Sequence, residues 1–454
     1  MDLGGVGVGY RAELSAELLR APQRVDFVEL LCESSLASKA AEREAEAVSR
    51  VWPTLVHGVK LSLGSAEGID VERARRLGAF ARKVGAQAIS EHASFVRAGG
   101  IEIGHLTATP FTREAARVIA KNADRVRRHL PDVPFLIENV AWSMRYADDA
   151  LTEGQFHREV LERSGCGLLL DLGNVLANAT NAGVSPRELL ESYPLERTAQ
   201  IHIAGGCLEG GFYFDTHGHA VGDEVFELLE LVMRKVGPVP IVLERDEHIP
   251  RLEALSREVD RARAIFAHAR PPKPLLPSTP VLAEESANLE TALAFARFQE
   301  VIADTLTSDA PMYAGLHPED VLRSRGILQK KRIEDAMALL PRLTVHAERL
   351  RSLAAEHVGR SARARHGAAV VDALAIADLA QLDGALSRAA RLDRLVLTAH
   401  FVETEIGFEP RRGPFLAREA TGDARAWVWK SLGRRARVNV LSEAFVNRSQ
   451  TASR

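Results

Sequence analysis

Cysteine is almost missing from this sequence. There are three in 454 residues, Cys32, Cys166 and Cys207, far apart and with no C-x-x-C pair. So few, and an odd number, exclude a disulfide framework and fit a reducing compartment. Long apolar runs are missing too: none approaches the ~20 residues that a membrane helix requires. The first residues, MDLGGVGVGYRAEL, lack the basic-then-apolar pattern of a secretory signal. The expectation is a cytoplasmic protein with no membrane association. A strong net charge is also lacking, at −3 overall, but the balance is uneven. Residues 1–285 carry 33 Lys and Arg against 41 Asp and Glu, and residues 286–454 carry 25 against 20. The acidic first part argues against a nucleic-acid partner, because phosphate binding rests on Lys and Arg displacing counterions. The basic stretch 411–454, 10 against 3, reads as a solvated face or as a surface for an acidic partner.

What the chain does have is alternation. Eight short apolar runs fall at 5–10, 25–31, 55–61, 88–95, 134–140, 167–173, 199–205 and 239–245. Amphipathic stretches such as GIDVERARRLGAFARKVG and DEVFELLELVMRKVG lie between most of them. Strands alternating with helices imply a parallel sheet with right-handed crossovers. Eight such units in this length predict a (β/α)8 TIM barrel over residues 1–270. Five prolines between 271 and 280 mark a semi-rigid linker, placed at 271–284. Residues 285–454 then read as a mainly helical C-terminal domain with some strand character at its end.

The strand ends carry the chemistry. In a TIM barrel the site lies at the C-terminal ends of the strands. Those ends deliver His57, His92, Glu138 and Asp171, with Asn174 three residues on, then His202 with Asp215 and His217 in its following loop, and finally Glu244. A single histidine in a strand is most often a hydrogen-bonded core residue, and a single acid at a strand end most often caps the next helix. Convergence changes that reading. An eight-stranded barrel brings its strand ends around one mouth ~15 Å across, and four histidines with four carboxylates crowd there only if cations neutralise the acids. Histidine with carboxylate suits Zn, Fe or Mn, and this many donors suit two or three ions.

The words VDFVELLCES, LVHGVKLSLGS, ISEHASF, FLIENVAWSMRY, IHIAGG, DTHGHAV and LERDEHIP resemble, as a set, one family. It is the multinuclear non-heme iron-dependent oxidative enzymes, methanobactin-biosynthesis-oxygenase-like and long known only as a domain of unknown function. The resemblance spans about residues 3–268. The ligand spacing is also similar to that of xylose-isomerase-like and endonuclease-IV-like barrels. The resemblance implies two or three iron ions, mixed Fe(II)/Fe(III), with dioxygen as co-substrate. The implied substrate is a cysteine or acidic residue near the C-terminus of a ribosomally synthesised precursor peptide. It implies His57, His92, Glu138, Asp171, His202 and Glu244 as ligands of the central ions. Asn174, Asp215 and His217 would hold a third, with asparagine standing where the nucleases have histidine. Glu33, Asn139 and Asp246 could orient ligands or substrate from behind, or serve only as caps and turn formers. Related barrels work with a separate partner that recruits the peptide leader, so the C-terminal domain reads as that partner fused. Phe401, Phe408, Arg411, Arg412, Trp427 and Trp429 could grip an acidic leader or simply pack a core. Two other readings stay open: a zinc or manganese phosphodiesterase of the endonuclease-IV type, and a sugar isomerase, for which Lys60 is the sole lysine at a strand end.

Overall fold

The structure is a computed structural model. It describes residues 3–147, 149–269, 289–308, 310–361, 367–404, 407–411, 413–421, 424–430 and 436–442. The linker expected at 271–284 and Arg412 lie outside the described residues. Two compact units are present. The first comprises Met1–Ala98, Leu106–Gln299 and Gly315–His317; the second comprises Gly99–His105, Glu300–Ala314 and Pro318–Arg454.

In the first unit, eight parallel strands close into a barrel with helices outside. They are β1 (Val6–Gly9), β2 (Val28–Leu31), β3 (Thr54–His57), β4 (Ile89–His92), β5 (Phe135–Glu138), β6 (Gly167–Asp171), β7 (Thr198–Ile203) and β8 (Ile241–Leu243). Each lies beside its sequence neighbours, and β8 closes on β1. All eight runs expected from the sequence are strands, trimmed where their loops begin.

Local chemistry fixes the outer helices. Val71–Val84 starts at Asp70, whose carboxylate accepts the Glu72 and Arg73 amides, and stops at Gly85 with φ of 64°. A left-handed residue there favours glycine. Glu153–Ser164 begins with a reciprocal Thr152/Gln155 capping box.

Strand side chains alternate between the two faces, so residues two apart share a face. Phe27, Leu55, Ala88, Leu136, Leu169 and Val242 form one apolar cluster, a layer of the kind that fills a barrel interior. Two residues further along each strand, and hence on the same face, stand Glu29, His57, Ser90, Glu138, Asp171 and Glu244. One pleat thus separates a dry plug from a polar layer.

Two hairpins interrupt the simple alternation. Ser94–Ala98 pairs with Ile101–Ala108, and Gly205–Glu209 pairs with Phe212–His219. The second is a correction to the sequence reading, which placed Asp215 and His217 in a loop: both lie on its returning strand. Residues that follow the barrel in sequence also belong to this unit. Gln299, 1% exposed, accepts from the Ala66 amide at 2.7 Å and donates to the Gly64 carbonyl at 2.7 Å.

The second unit holds the helices Pro318–Ala338, Ala347–Arg360, Ala368–Gln381 and Ser387–His400 around a core that includes Leu340, Leu350, Ile376 and Leu386. Its end is more regular than the sequence suggested. Phe401–Thr404 pairs with Gly407–Pro410, and Phe415–Thr421, Ala424–Lys430 and Arg437–Ser442 form a three-stranded antiparallel sheet. Ala426 and Val428 pack against Leu392 and Leu395.

Candidate metal centre

Register brings the strand-end residues into pairs. His92 lies opposite Glu138 across β4 and β5, and Asp171 opposite His202 across β6 and β7. Glu138 is the hub. Its Oε2 lies 3.4 Å from His57 Nε2 and 3.2 Å from His92 Nε2, while its Oε1 lies 3.1 Å from His202 Nδ1. His202 Nδ1 is also 3.1 Å from Glu244 Oε2. Two donor groups result: His57, His92 and Glu138, and Glu138, Asp171, His202 and Glu244. Within each, the donor atoms all lie within 4.8 Å of one another. All six residues are buried, and Asp171 and His202 are wholly so.

A metal ion fits this arrangement. Buried carboxylate oxygens normally accept hydrogen bonds. Yet Glu138 Oε2, Asp171 Oδ2, Asn174 Oδ1 and Asp215 Oδ1 have none. Carboxylates and imidazoles crowded out of water need a cation, whether a proton or a metal. Protons take that place in the metal-free site. Burial alone would depress the His92 imidazole, but Glu138, then Glu91 and Glu244, hold it up at about 9. Burial also opposes the charged form of His202, and Glu244, Glu29 and Glu138 override it to raise its pKa well above the usual value. Asp171 is pushed well above the carboxylate range, first by burial and then by Asp215.

Asp171 meets two demands at once. As N-cap of the helix Leu172–Ala182 it accepts the Asn174 amide through Oδ1 at 2.6 Å, and its other oxygen is left over. The capping role is filled by one oxygen, and the other is left without a hydrogen-bond partner among the donors of the site. Asn174 donates its Nδ2 to the Asn139 carbonyl at 2.9 Å, so the free atom is the acceptor Oδ1. His217 Nε2 stands 2.8 Å from Asp215 Oδ2 and 3.9 Å from Asp171 Oδ2, and its Nδ1 is 3.3 Å from Glu244 Oε2. His217 has φ of 50°, a left-handed conformation that costs about 1–3 kcal/mol in a non-glycine residue. Gly173 leaves room here, since a Cβ on it would meet Asp215 Oδ1 at 3.1 Å and Asp171 Oδ1 at 3.2 Å.

The three residues expected behind the ring differ in place. Asn139 clasps the Asp171 backbone, accepting its N–H at 2.8 Å and donating to its carbonyl at 3.0 Å. Asp246 stands between His217 Nδ1, at 3.5 Å, and an ion pair with Arg11. Glu33 accepts the Val59 amide at 3.2 Å, and burial, then Glu91, raises its pKa. Sequence reasoning missed Glu29, Glu91, Gln200 and Arg11. Glu29 and Glu91 carried the same signal as the others, an acid inside an apolar strand. In the second unit, Phe401 packs against the helical core, Arg411 sits 4.6 Å over the Phe415 ring and bonds the Thr398 carbonyl, and Trp429 is 37% exposed. Phe408 and Trp427 are half-buried, Trp427 with the Arg418 guanidinium 5.9 Å from its ring.

Residues 5–267 match the family model of the RiPP precursor modification enzyme MbnB/TglH/ChrH. The chain belongs to this family. MbnB/TglH/ChrH enzymes act on a ribosomally made precursor peptide, so the chain falls in a class of peptide-modifying enzymes. A UPF0276 protein of Caulobacter vibrioides is 36% identical over 272 residues, which cover 59% of this chain and 95% of the relative. A UPF0276 protein of Streptomyces avermitilis is 35% identical over 58% of this chain and 55% of its own length. Among solved structures, a xylose isomerase domain protein from Planctomyces limnophilus is 18% identical with a TM-score of 0.39, covering 58% of this chain and 97% of that one. The MbnB/TglH/ChrH match ends with the barrel, so the family statement concerns the barrel part of the chain.

Proposed function

We propose that this protein is a multinuclear non-heme iron oxidoreductase. In this reading it uses dioxygen to oxidise a cysteine or acidic residue near the C-terminus of a precursor peptide. The observation that carries the reading is the pair of buried donor groups sharing Glu138, inside a chain of the precursor-modifying family. His57, His92 and Glu138 would hold one ion, and Glu138, Asp171, His202 and Glu244 a second. Asn174, Asp215 and His217 would hold a third, with the amide its weakest donor. Iron, when bound, supplies one-electron redox chemistry with dioxygen.

The chain's own residues do the rest. Glu138 would serve both donor groups from one strand end. Asn139 holds the Asp171 backbone, and Asp246 orients His217 while Arg11 balances its charge. The dry plug below the polar layer keeps water from entering beneath the centre. Residues 285–454, joined through a linker at 271–284, serve in this reading as a domain that recruits the peptide leader. The protein works in the cytoplasm; no helix among the described residues is long and apolar enough to cross a membrane.

The test is metal analysis of anaerobically purified protein with Mössbauer spectroscopy on an iron-57 sample. Two to three irons per chain with coupled or mixed-valent signals are expected. Stoichiometric zinc that iron does not displace, with no oxygen consumption, overturns the reading in favour of hydrolysis.

A further inference from the structure

We propose that Asn181 is a positioning residue. It docks the hairpin Gly205–Glu209/Phe212–His219 on the helix Leu172–Ala182 and thereby sets where Asp215 and His217 stand. The inference rests on the metal-centre reading above and deepens its third donor set.

Three asparagines share one face of that helix. They stand at 174, 178 and 181, the i, i+4, i+7 spacing of a single helical stripe. Each is spent on the backbone of a neighbouring loop. Asn174 Nδ2 donates to the Asn139 carbonyl at 2.9 Å. Asn178 Nδ2 donates to the Val140 carbonyl at 3.0 Å, and its Oδ1 accepts the Trp142 amide at 3.0 Å. Asn181 does the same for the hairpin: its Oδ1 accepts the Tyr213 amide at 2.7 Å, and its Nδ2 donates to the Tyr213 carbonyl at 3.0 Å. The hairpin has two strands among the described residues. Its returning strand therefore has one edge that no strand covers, and Asn181 pairs there as a neighbouring strand would.

The lengths match. From Asn181 back to Asn174 is seven residues, about 10 Å of helix axis. From Tyr213 forward to Asp215 and His217 is two and four residues, about 7 and 13 Å of strand. A strand pinned at the last turn of the helix thus delivers its donors over the first. Asp215 does reach the helix start, where a Cβ on Gly173 would meet its Oδ1 at 3.1 Å. His217 Nε2 stands 3.9 Å from Asp171 Oδ2, the cap of the same helix. Losing a partner that orients a metal ligand costs about 10–100-fold in metal affinity. Asn181 acts through a short run of strand, so the low end applies.

The test is anaerobic titration of the metal-free full chain with cobalt(II), followed by visible absorption, with amide hydrogen exchange measured before metal is added. Wild type is compared with N181A, N181S, H217A and N181A/H217A. N181A and N181S are expected to weaken the third cobalt equivalent about 10-fold and to leave the two held by the strand ends unchanged. In the H217A background, N181A is expected to add nothing, because Asn181 acts through the hairpin. In metal-free N181A, exchange across residues 212–217 is expected to speed about 10-fold through the loss of two hydrogen bonds, and that of 140–142 to stay as it is. Wild-type affinity for all three equivalents in N181A, an equal loss across all three, or wild-type exchange in the hairpin overturns the proposal while the metal centre stands. Failure of N181A and N181S alike to fold, read by circular dichroism, also overturns it, since Asn181 is then a structural residue. A wild type that binds two equivalents and no third overturns it too, because the hairpin then holds no ligand. A wild type that binds no cobalt overturns the metal-centre reading with it.

Discussion

Six of the nine ligand-type side chains stand on barrel strands or at their ends, and two ride on a hairpin. The difference is physical. His57, His92, Glu138, Asp171, His202 and Glu244 are no more than 7% exposed, with His92 in register with Glu138 and Asp171 with His202. Asp215 and His217 are half-buried on the returning strand of Phe212–His219, and His217 holds a left-handed backbone. Strands make a donor group rigid at no conformational cost of its own. A hairpin reaches over the mouth and supplies donors that no barrel strand could, but under strain.

The sharpest way to break this comparison is Glu138→Gln. Because both donor groups share that side chain, the variant should lose both central ions and all detectable peptide modification, measured by iron analysis and mass spectrometry. His217→Ala should act on the hairpin alone: the third equivalent disappears while two remain, read by the same iron analysis. Retention of three equivalents would join the two sets into one.

The next effect is in pH. In the metal-free protein His92 is held at about 9, above its ordinary value of 6.5. A raised imidazole pKa contributes stability that is complete below pH 6.5 and is lost as pH rises through about 9. The melting temperature of metal-free protein should therefore fall over that window, and that of metal-loaded protein should not. The smallest effect is Gly173→Ala. Its Cβ crowds Asp215 and Asp171 by a few tenths of an ångström, so the third equivalent should bind a few-fold more weakly, read in the same titration, with the central pair unchanged.

Much of the barrel was legible because desolvation is severe. A histidine or acid inside an apolar strand has to be satisfied by something, and six of the eight strands deliver such a residue to one mouth. The runs expected at 134–140 and 167–173 form β5 and β6, trimmed to Phe135–Glu138 and Gly167–Asp171. The hairpin Gly205–Glu209/Phe212–His219 was not legible, because its glycines and mixed aromatic and polar residues read equally well as a loop. Glu29 shows the other limit. Its acid in VDFVELL was visible, but Gln200, which donates to its Oε2, is 171 positions away on a non-adjacent strand, and that pairing exists only once the barrel closes. Asp171 shows a third, since the sequence offered a cap or a ligand, and the fold caps with one oxygen and leaves the other without a hydrogen bond.

Gln299 has a consequence for the order of events on the ribosome. The loop at Gly64 and Ala66 emerges early, yet the side chain that satisfies its carbonyl and amide arrives 235 and 233 residues later. Chains fold domain by domain as they emerge. All eight strands can therefore close before this loop has its last two hydrogen bonds, and a released chain ending at Ala267 would hold every strand of the barrel with one rim still lacking Gln299.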